Sequence, residues 1–326
     1  MNAPGEENFF EVDGLSKRFP IHGGVLRRVT GHVNAVDDVS FGVRRGETLG
    51  LVGESGCGKS TVGKTILKLH EPSGGTIRLE GRDITNLRPR EMRPVRRKLQ
   101  IVFQDPYSSL NPRMNAGDIV AEPMVIHNRA GKGNLKHRVA GMFERVGLRP
   151  DQMRRFPHEF SGGQRQRISI ARALSVDPEL IIADESVSAL DVSIQASVIN
   201  LLVRLQQETG VSFLFISHDM SVIEHISHRV AVMYLGRIVE LSERSKVFAN
   251  PRHPYTEALL SAVPVPDPET RRKKRILLSG DVPSPINPPA GCHFHTRCPI
   301  AEDRCRTERP FLREVAPGHW AACHLR

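Results

Sequence analysis

The feature that most constrains this chain is a short apolar run that opens into a glycine-rich loop. Residues 48–52 read as a buried strand, and Gly53-Glu54-Ser55-Gly56-Cys57-Gly58-Lys59-Ser60 follows directly. Val62, Ile66 and Leu69 then recur at helical spacing. Strand, G-x-x-x-x-G-K-S loop and helix in succession make a phosphate cradle. The glycines let backbone N–H groups turn inward around phosphate oxygens, and the following helix aims its positive end at them. Lys59 is placed for the β- and γ-phosphates, Ser60 for Mg²⁺, and Thr61 adds a hydroxyl near the α-phosphate. Cys57 occupies an unrestricted position of the motif and reads as filler rather than a reactive thiol.

Around this nucleus, buried strands alternate with helices. Residues 9–15 and 33–43 alternate apolar and polar positions as half-buried strands do, and residues 76–79 and 99–103 read as further strands. Residues 115–147 are helical with breaks expected at Pro123 and at Gly131-Lys132-Gly133. Residues 161–174 form an uninterrupted helical stretch, and 180–183, 213–216 and 230–234 are apolar strands. Such alternation argues for an α/β fold with a mainly parallel sheet covered on both faces. Past residue 251 the texture changes. Prolines cluster at 264, 266, 268, 283, 285, 288 and 289, which predicts an extended connector rather than a second sheet.

Composition narrows the class without deciding it. The chain has 326 residues, 39% hydrophobic and 25% charged, as a globular protein has. No run approaches the ~20 apolar residues of a membrane-spanning helix. Residues 1–7 are polar and acidic, so no secretory signal is expected. The formal charge of +10 suits nucleic acid, anionic lipid or a polyphosphate. Much of the excess lies in residues 88–98 and 271–275, and each run alone reads as a solvated face or linker. Four of the five cysteines, Cys292, Cys298, Cys305 and Cys323, crowd into the last 35 residues. In a reducing compartment that points to metal or cluster ligation before disulfides.

A second constellation carries the chemistry. The apolar strand at 180–183 ends in Asp184-Glu185. In phosphate-loop NTPases the aspartate at such a strand end holds Mg²⁺, and a following glutamate is placed to polarise the attacking water. An acidic helix cap is the alternative for Asp191 but a weak one for this pair. Ser161-Gly162-Gly163-Gln164 precedes a helix and again offers backbone amides and a hydroxyl to an anion.

With these motifs in order, the chain resembles the ATPase subunits of ABC transporters, whose signature is Ser-Gly-Gly-Gln. The resemblance implies an ABC-type nucleotide-binding domain with a helical subdomain. Its signature, Ser161 to Gln164, would cap the nucleotide held by an opposing subunit. It further implies Gln104 as the Q-loop residue contacting Mg²⁺, Ser188-Ala189-Leu190-Asp191 as the D-loop, His218 as the switch histidine beside Glu185, and Phe19 against adenine; a core phenylalanine is the alternative for Phe19. One departure stands out: Ser186 follows Glu185 where the family has proline, leaving that turn an N–H and more freedom.

The resemblance sharpens along the chain. Residues 103–113, His253-Pro254-Tyr255-Thr256, residues 280–285 and the cysteine tail are similar to the oligopeptide and dipeptide importer ATPases, in particular the second ATPase of the usual pair. It implies an ATPase domain over 8–250, with a helical subdomain near 112–176, and a small cysteine-rich C-terminal extension over 251–326. It implies ATP and Mg²⁺ and a place at the cytoplasmic face of the bacterial inner membrane. It implies as partners a homologous second ATPase, two transmembrane permeases and a periplasmic or lipid-anchored peptide-binding protein. It also implies a [4Fe–4S] cluster on Cys292, Cys298, Cys305 and Cys323. Zinc, with one of His293, His295, His319 or His324 as a ligand, is the alternative, and a core of thiols with Phe294, Phe311 and Trp320 the third.

Two rival functions are weighed. A soluble ABC ATPase acting on nucleic acid or the ribosome would use the basic charge, but such proteins carry paired cassettes or a long coiled coil, and this chain has neither. A regulatory module without turnover is disfavoured because Lys59, Asp184, Glu185 and His218 are all present.

Overall fold

A computed structural model describes residues 8–23, 28–129, 134–188, 190–263 and 276–326. Outside the described residues lie the acidic start, the break at Gly131-Lys132-Gly133, Ala189 of the D-loop, the prolines at 264, 266 and 268, and the basic run 271–275. The strands are β1 (Phe10–Gly23), β2 (Arg28–Val43), β3 (Thr48–Val52), β4 (Gly74–Leu79), β5 (Arg82–Asp83), β6 (Leu99–Val102), β7 (Leu180–Asp184), β8 (Ser212–Ser217), β9 (Arg229–Tyr234), β10 (Arg237–Glu243), β11 (Arg313–Ala316) and β12 (His319–Ala321). The α-helices are α1 (Lys59–Ile66), α2 (Pro89–Lys98), α3 (Pro106–Ser109), α4 (Ala116–Ile126), α5 (Leu135–Arg145), α6 (Gly162–Leu174), α7 (Val192–Thr209), α8 (Met220–Ile226), α9 (Arg244–Ala249), α10 (Pro254–Ser261) and α11 (Asp303–Thr307). The chain divides into two compact bodies. One comprises Met1–Arg44, Thr48–Thr85 and Ser217–Arg326, the other Arg45–Glu47 and Asn86–Ile216.

The first body contains an antiparallel sheet in the order β2-β1-β4-β5. β1 runs eight residues past the predicted end because β2 continues to pair with it out to Gly23 and Arg28, through several register shifts. Those shifts break the period-2 pattern, which hid the extension from sequence. In the same body β3 lies parallel to β9, and every β3 residue is buried, as a continuous apolar run predicts. β10 is antiparallel to β9, and the hairpin β11–β12 adds to β10. Among the described residues of the tail, the strands β11 and β12 extend this sheet.

The second body holds β6, β7 and β8 in parallel register. Its basic stretch 88–98 is a helix, α2. Pro89 sits at the first turn, the Glu91 carboxylate accepts the Arg88 N–H at 2.8 Å, and Met92 and Val95 are buried. Lys98 pairs with Glu179 at 2.7 Å, so the run is a charged face over an apolar seam. Pro123 does not break the helix as expected. It lies inside α4, whose interior accepts the loss of one ladder bond. α6 begins at a reciprocal cap: the Ser161 hydroxyl accepts the Gln164 backbone N–H at 3.3 Å, and the Gln164 side-chain Oε1 accepts the Ser161 backbone N–H at 3.0 Å. α7 ends at Gly210, with φ 68°. Among the described residues no helix is long and apolar enough to cross a membrane.

Candidate functional site

In the first body the phosphate-type loop joins β3 to α1 and is shaped by close approach. A Cβ at Gly53 would lie 2.1 Å from the Met233 carbonyl oxygen, and one at Gly58, with φ 107°, 2.0 Å from that of Ala35. Neither position accepts a side chain. Lys59 is buried. Its ammonium donates to the carbonyls of Gly53 at 2.8 Å and Glu54 at 2.9 Å. Gly56 has φ 79°, Ser55 and Gly56 are exposed, and Ser60 and Thr61 on the first turn of α1 are half-buried. Burial pushes the Cys57 thiol up against the opposing Lys59 charge, which keeps it neutral and unreactive.

The outside of this loop is braced from far along the chain. The Gly236 N–H donates to the Cys57 carbonyl at 2.9 Å. The Glu54 N–H donates to the Tyr255 hydroxyl at 2.8 Å. The Glu54 carboxylate accepts a two-pronged bond from Arg297 at 2.7 and 3.1 Å. Burial and the nearby Glu54 charge hold Tyr255 far above the usual phenol range, and the bonds to Glu54 raise Arg297 further still. Phe19 on β1 is half-buried, edge-on to His70 at 5.2 Å, with the Lys17 ammonium 4.8 Å from its ring centre. It is not a core phenylalanine. His218 is exposed just past β8, and the neighbouring Asp219 caps α8 by accepting the Ser221 N–H at 2.8 Å.

In the second body Asp184 ends β7 almost fully buried, and Glu185 takes the next position with φ 45°. A non-glycine residue in this left-handed region carries strain that its surroundings must hold. The Glu185 N–H donates to the Ile216 carbonyl at 3.0 Å, and its own carbonyl accepts Ser188 through N–H and hydroxyl at 3.1 and 2.9 Å. The Gln104 side-chain amide donates to the Glu185 carboxylate at 2.9 Å. Gln104 precedes Asp105, which caps α3 through the amides of Tyr107 and Ser108, and those bonds hold the Asp105 carboxyl below its usual range. Ser186 is buried with no partner for its hydroxyl. Ser161 and Gly162 are exposed at the start of α6, Gln164 is half-buried, and Gly163 is pressed against Ile194, 2.4 Å from where a Cβ would stand.

The cysteine tail departs from expectation. Among the described residues no group of three or more His, Cys, Asp or Glu side chains is placed to hold a metal ion, so the iron–sulfur reading and its zinc alternative are withdrawn. All four cysteines are free. Burial pushes the Cys292 thiol up to about 11, with the other three cysteines adding to the shift, and it raises Cys298 and Cys323 as well. Phe294 is fully buried beside them, whereas Phe311 is 70% exposed and takes no part in that core.

The geometry so far is a loop built for phosphate, a carboxylate pair at a strand end and a capped Ser-Gly-Gly-Gln helix start. Residues 36–188 match the ABC transporter family model. Residues 239–305 match the oligopeptide/dipeptide transporter C-terminal region. The oligopeptide transport ATP-binding protein AppF of Bacillus subtilis is 53% identical over 327 residues, covering 100% of this chain and 99% of that protein. The chain belongs to the ATP-binding subunits of oligopeptide/dipeptide ABC transporters. A probable peptide ABC transporter ATP-binding protein, y4tS of Sinorhizobium fredii, is 55% identical over 97% of this chain and 89% of its own length. A solved dimeric ATP-binding cassette in a post-hydrolysis state, bound to ADP and Pi, aligns at TM-score 0.63 and 25% identity, over 72% of this chain and 98% of that one. The ABC-type α/β fold expected from sequence is thereby shown.

Sequence reasoning missed Arg297 and Tyr255 as neighbours of the loop. His253-Pro254-Tyr255 carried a family resemblance, but nothing in one sequence ties residue 297 to residue 54.

Proposed function

We propose that this chain is the ATP-hydrolysing subunit that energises an importer of di- or oligopeptides at the cytoplasmic face of a bacterial inner membrane. The observation that carries the reading is full-length similarity to AppF, including the C-terminal region. The match of residues 239–305 to the oligopeptide/dipeptide transporter C-terminal region favours the transporter reading over a nucleic-acid or ribosome-associated ATPase.

In this reading the ATPase domain spans 8–250, with its helical subdomain near 112–176, and the extension spans 251–326. Gly53 to Thr61 cradle the ATP phosphates, Lys59 neutralises the β- and γ-phosphates, and Phe19 lies against the base. Ser60, Gln104 and Asp184 offer a hydroxyl, an amide oxygen and a carboxylate, a hard-oxygen set that suits Mg²⁺. Held by these residues, Mg²⁺ would supply charge neutralisation at the phosphates. Glu185 takes the proton of the attacking water, and His218 orients it. Ser161 to Gln164 serve the nucleotide of a facing ATPase subunit, homologous to this one and paired with it, with Ser188 and Asp191 in the D-loop between the two sites. Association on ATP binding and separation after hydrolysis then drive two permease subunits fed by a peptide-binding protein. Co-purification from membranes tests the assembly. Two permeases and a homologous ATPase should accompany the chain; ribosomal or nucleic-acid partners alone would overturn the reading.

A further inference from the structure

The C-terminal region grips the phosphate-type loop at the one residue that opposes its chemistry. Glu54 places a carboxylate inside a loop otherwise made of glycines, small side chains and Lys59. Its own carbonyl accepts the Lys59 ammonium at 2.9 Å, so residue 54 stands at the lysine that the loop offers to phosphate. An unpaired carboxylate there repels a polyphosphate, and like charges at such range disfavour each other most where water is partly excluded. Arg297 answers this with both prongs of its guanidinium, at 2.7 and 3.1 Å, from 243 residues away in sequence. The Arg297 side chain is only 8% exposed and the Glu54 side chain 28%, so screening of the pair by water and salt is limited.

The grip is rigid on the far side. Arg297 sits on a tight turn, its N–H donating to the Phe294 carbonyl at 3.0 Å. Phe294 packs edge-on to Tyr234 at 5.2 Å and tilted on Tyr255 at 5.4 Å. Tyr255 in turn takes the Glu54 N–H, which orients that amide outward. Its helix α10 starts at His253, whose ring nitrogen accepts the Tyr255 N–H at 3.1 Å. Buried Glu240 accepts the His253 N–H at 2.8 Å and pairs with His319 at 2.6 Å. Carboxylate and amide of Glu54 are thus both drawn towards the C-terminal region.

We propose that Arg297 is a positioning residue for ATP binding, neutralising Glu54 and holding its amide and carboxylate on the outer side of the loop. The extension over 251–326 then acts on the ATP site as a brace and charge mask. This rests on the reading of the loop as the ATP site, and Lys59→Ala tests that reading separately.

The experiment is titration of the purified full-length chain with a fluorescent ATP analogue, with thermal melting of each variant beside it. Arg297→Gln should weaken binding about ten-fold while the chain still melts cooperatively. Adding Glu54→Gln to Arg297→Gln should recover most of that loss, because the double variant leaves no bare carboxylate in the loop. Arg297→Lys should fall between the two, since a lysine keeps the charge and loses the fork. In the assembled transporter Arg297→Gln should raise the KM for ATP more than it lowers kcat. Wild-type affinity in Arg297→Gln would overturn the proposal. So would a double variant as weak as Arg297→Gln alone, since Arg297 would then be an anchor and not a charge mask. If Lys59→Ala binds the analogue like wild type, the site reading itself fails, whatever Arg297 does.

Discussion

The phosphate-type loop and the carboxylate corner that follows β7 solve opposite problems. The loop must offer amides and a cation without strain, and it does so with glycines held by distant groups: Gly236, Tyr255 and Arg297. In the proposed mechanism the corner must aim one carboxylate, and a strained Glu185 is held there by Ser188 three residues on, by the Ile216 carbonyl on β8 and by the Gln104 side chain. A chemistry carried by backbone needs long-range bracing, because a flexible loop has little of its own. A chemistry carried by one side chain needs that residue's backbone and carboxylate fixed from several sides at once.

The comparison predicts separable losses. Glu185→Gln should cut hydrolysis by ~10²–10⁴-fold while ATP affinity stays within about three-fold, because the corner is asked for proton transfer and not for grip. Steady-state turnover beside equilibrium binding reads both, and near-normal turnover would remove Glu185 as base. Lys59→Ala should raise the ATP Kd by about 100-fold or more, since the loop is asked for grip. Loss of turnover with unchanged affinity would erase the distinction between the two regions.

The bracing of the loop should also show in its pH dependence. His253 and His293, both buried in the C-terminal region, are pushed down to about 4 from the ordinary 6.5, His253 by burial and His293 by burial with Arg237 next. Below pH 6.5 the unfolded chain takes up protons that the folded one refuses. Stability is therefore full above pH 6.5 and falls as pH drops towards 4, by roughly 2 kcal/mol per histidine at pH 5. Urea unfolding at pH 7.5 and 5.0 measures this. His253→Asn keeps a cap for α10 and should remove about half of the drop; an unaltered drop would locate the effect elsewhere. The smallest effect belongs to the corner. Ser186→Ala removes a buried hydroxyl without a partner and should stabilise the chain by ~1 kcal/mol in the same assay.

What was legible in the sequence follows the same division. β3 and its loop could be read in full, because an all-buried strand is an apolar run and a glycine that tolerates no Cβ is a glycine in the text. Asp184-Glu185 at the end of an apolar strand, and a helix starting at Ser161-Gly162-Gly163-Gln164, were readable for the same local reason; the reciprocal Ser161–Gln164 cap was not read. The positive φ of Glu185 was not, since no residue type announces it. Nor was the pairing of Glu54 with Arg297, which exists only once the tail returns to the loop. The cysteines misled in the opposite direction. Their crowding is plain in sequence, but whether side chains converge on a metal depends on how the tail folds, which spacing does not encode. β11 and β12 were missed because they are four and three residues long, and β10, which turns straight back onto β9, was missed although its partner is adjacent.

That this ATPase drives peptide import is tested in proteoliposomes carrying the chain with whatever permease and ATPase subunits co-purify with it. ATP is placed on the side of the ATPases, and peptide with its binding protein on the other. The account predicts ATP hydrolysis stimulated by peptide and accumulation of labelled peptide on the ATP side, both abolished by Glu185→Gln in this chain. Hydrolysis indifferent to peptides of every length tried, or uptake that persists with Glu185→Gln, would contradict it.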